Sequence, residues 1–421
     1  MFVKTPKPQN NMNRCQAWLS SGLFLLLLGA CTPGPPQEQA LDKKGVPSAW
    51  AEIEALGRNT SVKMMMWTGD PLINQYMNGF VKARVRALYG IDLQIVSGQG
   101  IEIVRTLMSE KEAAKTQSKL DMVWINGETF FQLKQLQALY GPFTQQLPNA
   151  RYIDFENPFI HTDFQQPVQG LECPWGNVQF TLIYHSQKVP TPPQSLSEFA
   201  AFFRANPGKF TIPTEFTGLT LLKAWLIALA PSPEALYGPF EEKKYKLYST
   251  KLWDFINAHK AYFWKKGETF PSTLAATHQM FAQGELYFTM SNNDTEVDNK
   301  IAQGVFPDFA RAYVLESGTI QNSHYLGIVE KAANKAGAML VINFMISPEA
   351  QFEKAQPRIW GDGTVLSLKK LPSAWAQKFA QLPGRQYAPR REAIQPYALQ
   401  ELAPDYMIRL QQDFRKYVIE P

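Results

Sequence analysis

The sequence predicts a two-lobed α/β protein, and three observations carry that expectation. From Val62 the chain alternates strand and helix three times. A second strand–helix series begins after Pro174. Two extended segments, Val178–Tyr184 and Thr319–Ile328, bracket that second series as crossings between the lobes. Such alternation favours a parallel sheet with helices on both faces. The chain has 421 residues, 45% of them hydrophobic, which is enough for two or three cores.

The elements follow in order. Val62-Lys63-Met64-Met65-Met66-Trp67 is an apolar run fit for a buried parallel strand. Asp70-Pro71 is an N-cap and first-turn pair, opening a helix through Ile73, Tyr76, Met77, Phe80, Val81 and Leu88 that Gly90 can close. A strand near Asp92–Ser97, a helix from about Glu102 to Thr116, a strand Leu120–Ile125 and a helix Glu128–Ala138 complete the first series. In the second, Ser195-Leu196-Ser197-Glu198 is a capping box before an apolar helix. The strand Lys209–Pro213, the helix Thr217–Ala230, helical stretches to about Lys266 and the strand Glu285–Met290 follow. The return segment leads into the helix Asn334–Ile346 and a polar helical tail. Lobe one is expected over 49–185 plus 319–421, with the C-terminal helices, and lobe two over 186–318. The crossings make a natural hinge, and the cleft beside it is the expected ligand site.

The first thirty residues read as a targeting signal. They hold Lys4, Lys7 and Arg14 but no acid, and an apolar run to Leu28. That run is shorter than the roughly 20 residues that span a bilayer. It ends in Leu28-Gly29-Ala30-Cys31, which resembles a bacterial lipobox and implies a diacylglycerol on the Cys31 thiol. The alternative is a plain signal peptide with an incidental cysteine. Residues 31–48 then form a flexible tether to a membrane anchor.

Charge and motifs exclude several classes. The net charge of +5 falls to +2 without the signal, since 39 basic residues face 37 acidic ones, so nucleic acid is not an expected partner. Three cysteines make no disulfide framework, and five scattered histidines give no metal or triad spacing. No nucleophile elbow, zinc-protease motif, P-loop or dinucleotide fingerprint occurs. The sequence calls for no cofactor, and a monomer is expected.

Several short blocks carry a resemblance. Trp67-Thr68-Gly69-Asp70-Pro71-Leu72-Ile73-Asn74, Asp121-Met122-Val123-Trp124-Ile125-Asn126-Gly127-Glu128 and Tyr140-Gly141-Pro142-Phe143 lie in the first series. Pro174-Trp175-Gly176, Phe216-Thr217-Gly218, Gly318-Thr319-Ile320-Gln321-Asn322-Ser323-His324, Ser347-Pro348-Glu349-Ala350-Gln351 and Trp360-Gly361-Asp362 follow. In this order the chain resembles the YnjB-type ABC-transporter solute-binding proteins over about residues 62–370. The resemblance implies a periplasmic-binding-protein fold of type II arrangement, related to binders of thiamine, iron and polyamines. It also implies a small-molecule ligand and a permease and ATPase as partners, without naming the ligand. The lipobox is a departure, because many relatives are freely soluble.

The candidate ligand residues sit where strands end and helices begin. Trp67, Thr68, Asp70 and Asn74 form the first such turn, where free backbone N–H groups can hold an anionic group, or Asp70 instead holds a cation or only caps its helix. Asn126 and Glu128 form the second, with a tight capped turn as the alternative. Trp175, beside the first crossing, stacks on a ring or cation or else packs the hinge. Thr217 is expected to cap a helix and Gly218 to leave room for close approach. Ser291 and Asn292 offer polar atoms or a solvated turn, and Asn322 on the return strand is expected to point inward. Trp124 reads as core. No Arg or Lys stands in these turns, which favours a cationic or neutral, ring-bearing solute. The rival is an envelope carbohydrate-active enzyme using paired carboxylates such as Asp70 and Glu128.

Overall fold

Ten strands carry the fold in a computed structural model that describes residues 45–420. The expected signal, most of the tether and Cys31 lie outside the described residues. The strands are β1 Ser61–Met66, β2 Asp92–Ser97, β3 Met122–Ile125, β4 Leu139–Tyr140 and β5 Glu172–Gln179. β6 Thr181–His185, β7 Phe288–Ser291, β8 Ala310–Tyr313, β9 Thr319–Val329 and β10 Ala398–Leu399 complete the set. A two-stranded hairpin at 162–167 stands apart.

The larger sheet runs β10-β9-β3-β1-β2, with β4 and β5 also paired to β9. β1 is parallel to β2 and β3, as alternation demands, but β9 enters antiparallel to β3, so the sheet is mixed. β1 shows why both faces are covered. Val62, Met64 and Met66 enter one core, while Met65 enters another with Ile103, Phe130 and Leu133 from helices on the opposite face. The smaller sheet, β8-β6-β7, is antiparallel. It contributes Leu182, Phe288 and Met290 to an aromatic core with Phe199, Phe210 and Trp225.

The two sheets meet at the crossings. Only Phe180 separates β5 from β6, and its N–H donates to the Ile320 carbonyl at 2.8 Å, so the outgoing and returning chains run side by side. The return passes through residues 314–318, where Gly318 takes a left-handed φ of 94°.

Local signals worked where capping governs. Asp70 Oδ1 accepts from the N–H groups of Leu72 and Ile73, and Gly90 ends that helical run with φ 69°. A π-helical turn at Tyr76–Val81 interrupts it, and Leu88 faces solvent. Ser195 Oγ accepts from Glu198 N, whereas Glu198 reaches back to Gln194 N, one residue earlier than a closed box requires.

Three expectations fail on tertiary grounds. Residues 209–213 form no strand. Lys209 O accepts from Tyr287 N and Phe210 O from Trp264 N, but these lie in separate segments, and Pro213 has no N–H to extend a ladder. The helix Phe216–Ala228 begins at Glu215, which places Thr217 inside it rather than at its cap. The tail is not polar throughout. Leu399, Tyr406, Met407, Leu410 and Phe414 bury in the second core, although the segment was expected with lobe one.

One buried feature sets a pH dependence. Asp163 and Glu172 are buried, and both Glu172 oxygens lack a partner among the described residues. Burial first, and then nearby carboxylates, Glu128 and Glu401 for Asp163 and Asp163 for Glu172, push both carboxyls well above the usual carboxylate range. A raised acid binds its proton more tightly when folded. Its stabilisation is therefore complete below the unfolded value of about 4.3 and is lost as pH rises through the folded one. Melting curves between pH 5 and 8 should fall with pH, and Glu172→Gln should flatten that slope. Parallel slopes for parent and variant would remove Glu172 as the source.

Candidate functional site

A cavity of about 640 Å³ opens between the two main cores, within the roughly 300–1,000 Å³ of small-molecule sites. Lobe one supplies the turns after β1 and β3, and lobe two the start of the helix Phe216–Ala228, the helix Leu274–Ala282 and the turn after β7. Among the expected residues, Trp67, Asp70, Asn126, Glu128, Thr217, Ser291, Asn292 and Asn322 line it.

Each of these has a defined local setting. Asn126 stands at the N-cap of the helix Gly127–Gln135, yet its side chain makes no cap hydrogen bond. Asn292 Nδ2 donates to Thr217 Oγ1 at 3.1 Å, and Ser291 Oγ accepts from Asn293 N, so these polar groups brace one another at the cleft wall. Asn322 Nδ2 donates to Glu401 Oε1 at 3.2 Å, and Glu401 is ion-paired to the buried Lys223. Glu128 keeps one oxygen without a partner among the described residues, and burial raises its pKa.

Four expected residues do not line the cavity. Asn74 Nδ2 donates to the Thr68 carbonyl at 2.9 Å, and Thr68 Oγ1 lies 2.6 Å from Ser97 Oγ; both hold the turn that presents Trp67 and Asp70. Gly218 is needed for its own chain, since a Cβ there would strike the Pro213 carbonyl. Trp175 is fully buried, because every residue of β5 is covered on both faces and no solvent side remains. It packs behind the wall, 5.2 Å from the rings of Trp124 and Trp360.

The aromatic wall is therefore built from other residues. Trp67 meets Trp124 edge-on at 6.4 Å, Trp124 meets Trp360 at 6.0 Å, and the His324 ring lies parallel to Trp360 at 5.8 Å. All four line the cavity, so Trp124 is wall and not core. Its indole N–H has no partner among the described residues. Behind them Asp362 accepts from His324 Nε2 at 2.9 Å and from Lys354 Nζ. Burial opposes the Asp362 charge, but His324 and Lys354 outweigh it and hold the carboxyl below its ordinary range.

Sequence reasoning missed Trp360, Asp362, Glu296, His278 and Lys300, which lie outside the strand-end turns, Glu296 and Lys300 on the helix that follows the turn after β7. Trp360-Gly361-Asp362 was visible as a block, although nothing local placed it at the cleft. The expected turns do hold no Lys or Arg, but Lys300 brings a cation to the cleft from the helix Glu296–Ala302. Its Nζ lies 2.7 Å from Asp70 Oδ2, so Asp70 has one oxygen in capping and the other in an ion pair. Burial lowers the His278 pKa to about 4, leaving a neutral imidazole whose Nε2 lies 3.0 Å from the Met290 carbonyl.

Helix starts converge on the cavity at Asp70, Gln99, Asn126 and Glu215. Their positive ends would suit an anion. Carboxylates of this chain already stand there: Asp70 and Glu215 at N-caps, Glu102 on the Gln99 N–H, and Glu128 in a first turn.

The comparisons with known proteins agree with this architecture. The family model described as bacterial extracellular solute-binding protein matches residues 81–383. Protein YnjB of Escherichia coli (strain K12) is 33% identical over 361 residues, covering 85% of this chain and 89% of that protein. A solved structure described as a putative spermidine/putrescine ABC transporter from Listeria monocytogenes superposes with TM-score 0.60 at 13% identity. It covers 85% of this chain and 99% of its own. Iron-bound HitA from Pseudomonas aeruginosa gives 0.58 at 13% identity, covering 84% and 99%. The periplasmic binding protein AfuA from Actinobacillus pleuropneumoniae, with fructose-6-phosphate bound, gives 0.58 at 13%, covering 86% and 99%. These structures share the two-lobed type II arrangement, and at such identities the likeness concerns fold alone. With the family model spanning residues 81–383 and YnjB 33% identical over most of both chains, this chain belongs to the bacterial extracellular solute-binding protein family.

Proposed function

We propose that this protein captures a small cationic or neutral, ring-bearing solute in its cleft and delivers it to the permease and ATPase of an ABC importer. The observation that carries the reading is the cavity itself, walled by strand-end turns of both lobes and by Trp67, Trp124 and Trp360. Aromatic faces suit a planar ring or an organic cation, and the carboxylates standing at the helix starts disfavour a polyanion. Thiamine-like compounds fit this wall ahead of polyamines. Contacts made only when both lobes touch the solute bias the molecule toward closure at the two crossings, and the closed form is what the permease would meet. We read the protein as a monomer without a cofactor. The carbohydrate-active alternative needs Asp70 as a free acid, and Asp70 is committed to Lys300 and to its helix.

A thermal-shift screen tests this reading, using thiamine and its precursors, polyamines, ferric iron, sugars and phosphorylated metabolites. A ligand at 100 times its Kd should stabilise by about 2.7 kcal/mol and be recovered unchanged. A screen in which a compound is consumed, or in which only polyanions stabilise, would contradict it.

We further propose that Cys31 carries a lipid and holds the protein on the outer side of a membrane, periplasmic or at the cell surface. Among the described residues no helix is long and apolar enough to cross a membrane. Cys31→Ser should release the protein into the soluble fraction or stall its processing. A variant still processed and membrane-bound would refute the anchor.

A further inference from the structure

Among the described residues lining the cleft, Lys300 is the one lysine or arginine. Its Nζ lies 2.7 Å from Asp70 Oδ2 and 3.3 Å from Glu296 Oε1, with the three side chains 9%, 17% and 13% exposed. Asp70 stands on the turn after β1, next to the first core, while Lys300 and Glu296 stand on the helix Glu296–Ala302 beyond β7. The ion pair therefore spans the cleft. Two neighbours span it as well: the Thr295 hydroxyl donates to the Gly361 carbonyl, and the Asn299 amide to the Trp360 carbonyl. Burial works against the Lys300 charge, but Glu296 and Asp70 outweigh it and keep the ammonium protonated.

We propose that Lys300 determines the charge of the solute. It is an internal cation seated on the two carboxylates that a ligand amine would otherwise claim. Oligoamines are thereby excluded, and the cleft accepts a solute with at most one positive charge. This rests on the cleft being the solute site and narrows the class proposed above.

The remaining acids support that limit. Glu215 accepts from the Leu274 N–H, and Asp362 is held by Lys354 and His324. Glu128 keeps a fully buried oxygen without a partner among the described residues, which offers a seat to one cationic group. A second amine would have to displace Lys300 and strand its ammonium, buried and unpaired, which is unfavourable. Seated as it is, Lys300 directs two of its three N–H groups at carboxylates and keeps one for a neutral acceptor on the solute.

Calorimetric titration of spermidine into the parent and into Lys300→Met tests the proposal. The variant exposes two carboxylates and should bind spermidine at least tenfold more tightly than the parent. Lys300→Arg keeps the cation and should match the parent. If Lys300→Met does not fold, Lys300→Gln removes the same charge while keeping a donor. Equal spermidine affinity in the parent and the charge-removed variant would overturn the proposal and leave the importer reading standing. A solute screen without any ligand would sink the importer reading, while the spermidine comparison would still report the charge of the cleft.

Discussion

Trp175→Ala is expected to destabilise the protein by about 3–5 kcal/mol, the cost of emptying a large aromatic site in a packed core. The indole is fully buried and packs against Trp124, Trp360 and His324, while its backbone carbonyl accepts from Gln351 and from Lys354. Of the two readings the sequence left open, stacking on the solute predicts weakened binding with the fold intact. The place of the indole behind the wall reverses that expectation. Urea unfolding at neutral pH measures the change. A loss below about 1 kcal/mol, together with weakened solute binding, would return Trp175 to the cleft surface.

Asp362→Asn should cost a similar amount for a different reason. The substitution keeps the shape and removes the charge, leaving the fully buried Lys354 ammonium with neutral acceptors, among them the carbonyls of Trp175 and Gly363, and no counter-charge. Breaking one side of a buried pair costs about 3–5 kcal/mol, because the uncompensated charge stays behind. The double variant with Lys354→Met should recover part of the loss, since an apolar pair avoids the desolvation of both ions. The pH dependence has a definite sign. The Asp362 carboxyl lies below its ordinary range, so its stabilisation is present above the unfolded value of about 3.9 and is lost as pH falls through the folded one. Unfolding midpoints of the three proteins at pH 7 check the ranking, and those of the parent and Asp362→Asn at falling pH check the sign. A double variant less stable than Asp362→Asn would contradict it.

What the sequence disclosed and what it hid follow from the range of the forces involved. Capping and periodicity are local, so Asp70, Gly90 and the strands β1 to β3 were readable within one or two residues. The turns after β1, β3 and β7 were readable too, because ligands of α/β sheets sit at strand ends. Lys300 was invisible, since its meeting with Asp70 is set by a fold that joins residues 230 positions apart. Trp175 misled because β5 is covered on both faces, so its neighbours show no alternation that would mark an inner and an outer side. The segment 209–213 had strand-like composition, but strand pairing is a property of neighbours and not of a segment. The tail looked polar because the helix Pro404–Phe414 is amphipathic, and only its Tyr406, Met407, Leu410 and Phe414 stripe reaches the second core.

Native mass spectrometry of the protein mixed with a small-metabolite extract tests the central claim most directly. One unmodified small molecule per protein should be retained, carrying a ring and at most one positive charge, and it should be lost when Trp67 and Trp124 are both replaced by Ala. Retention of a polyanion or an oligoamine, or release of a chemically altered compound, would contradict the account.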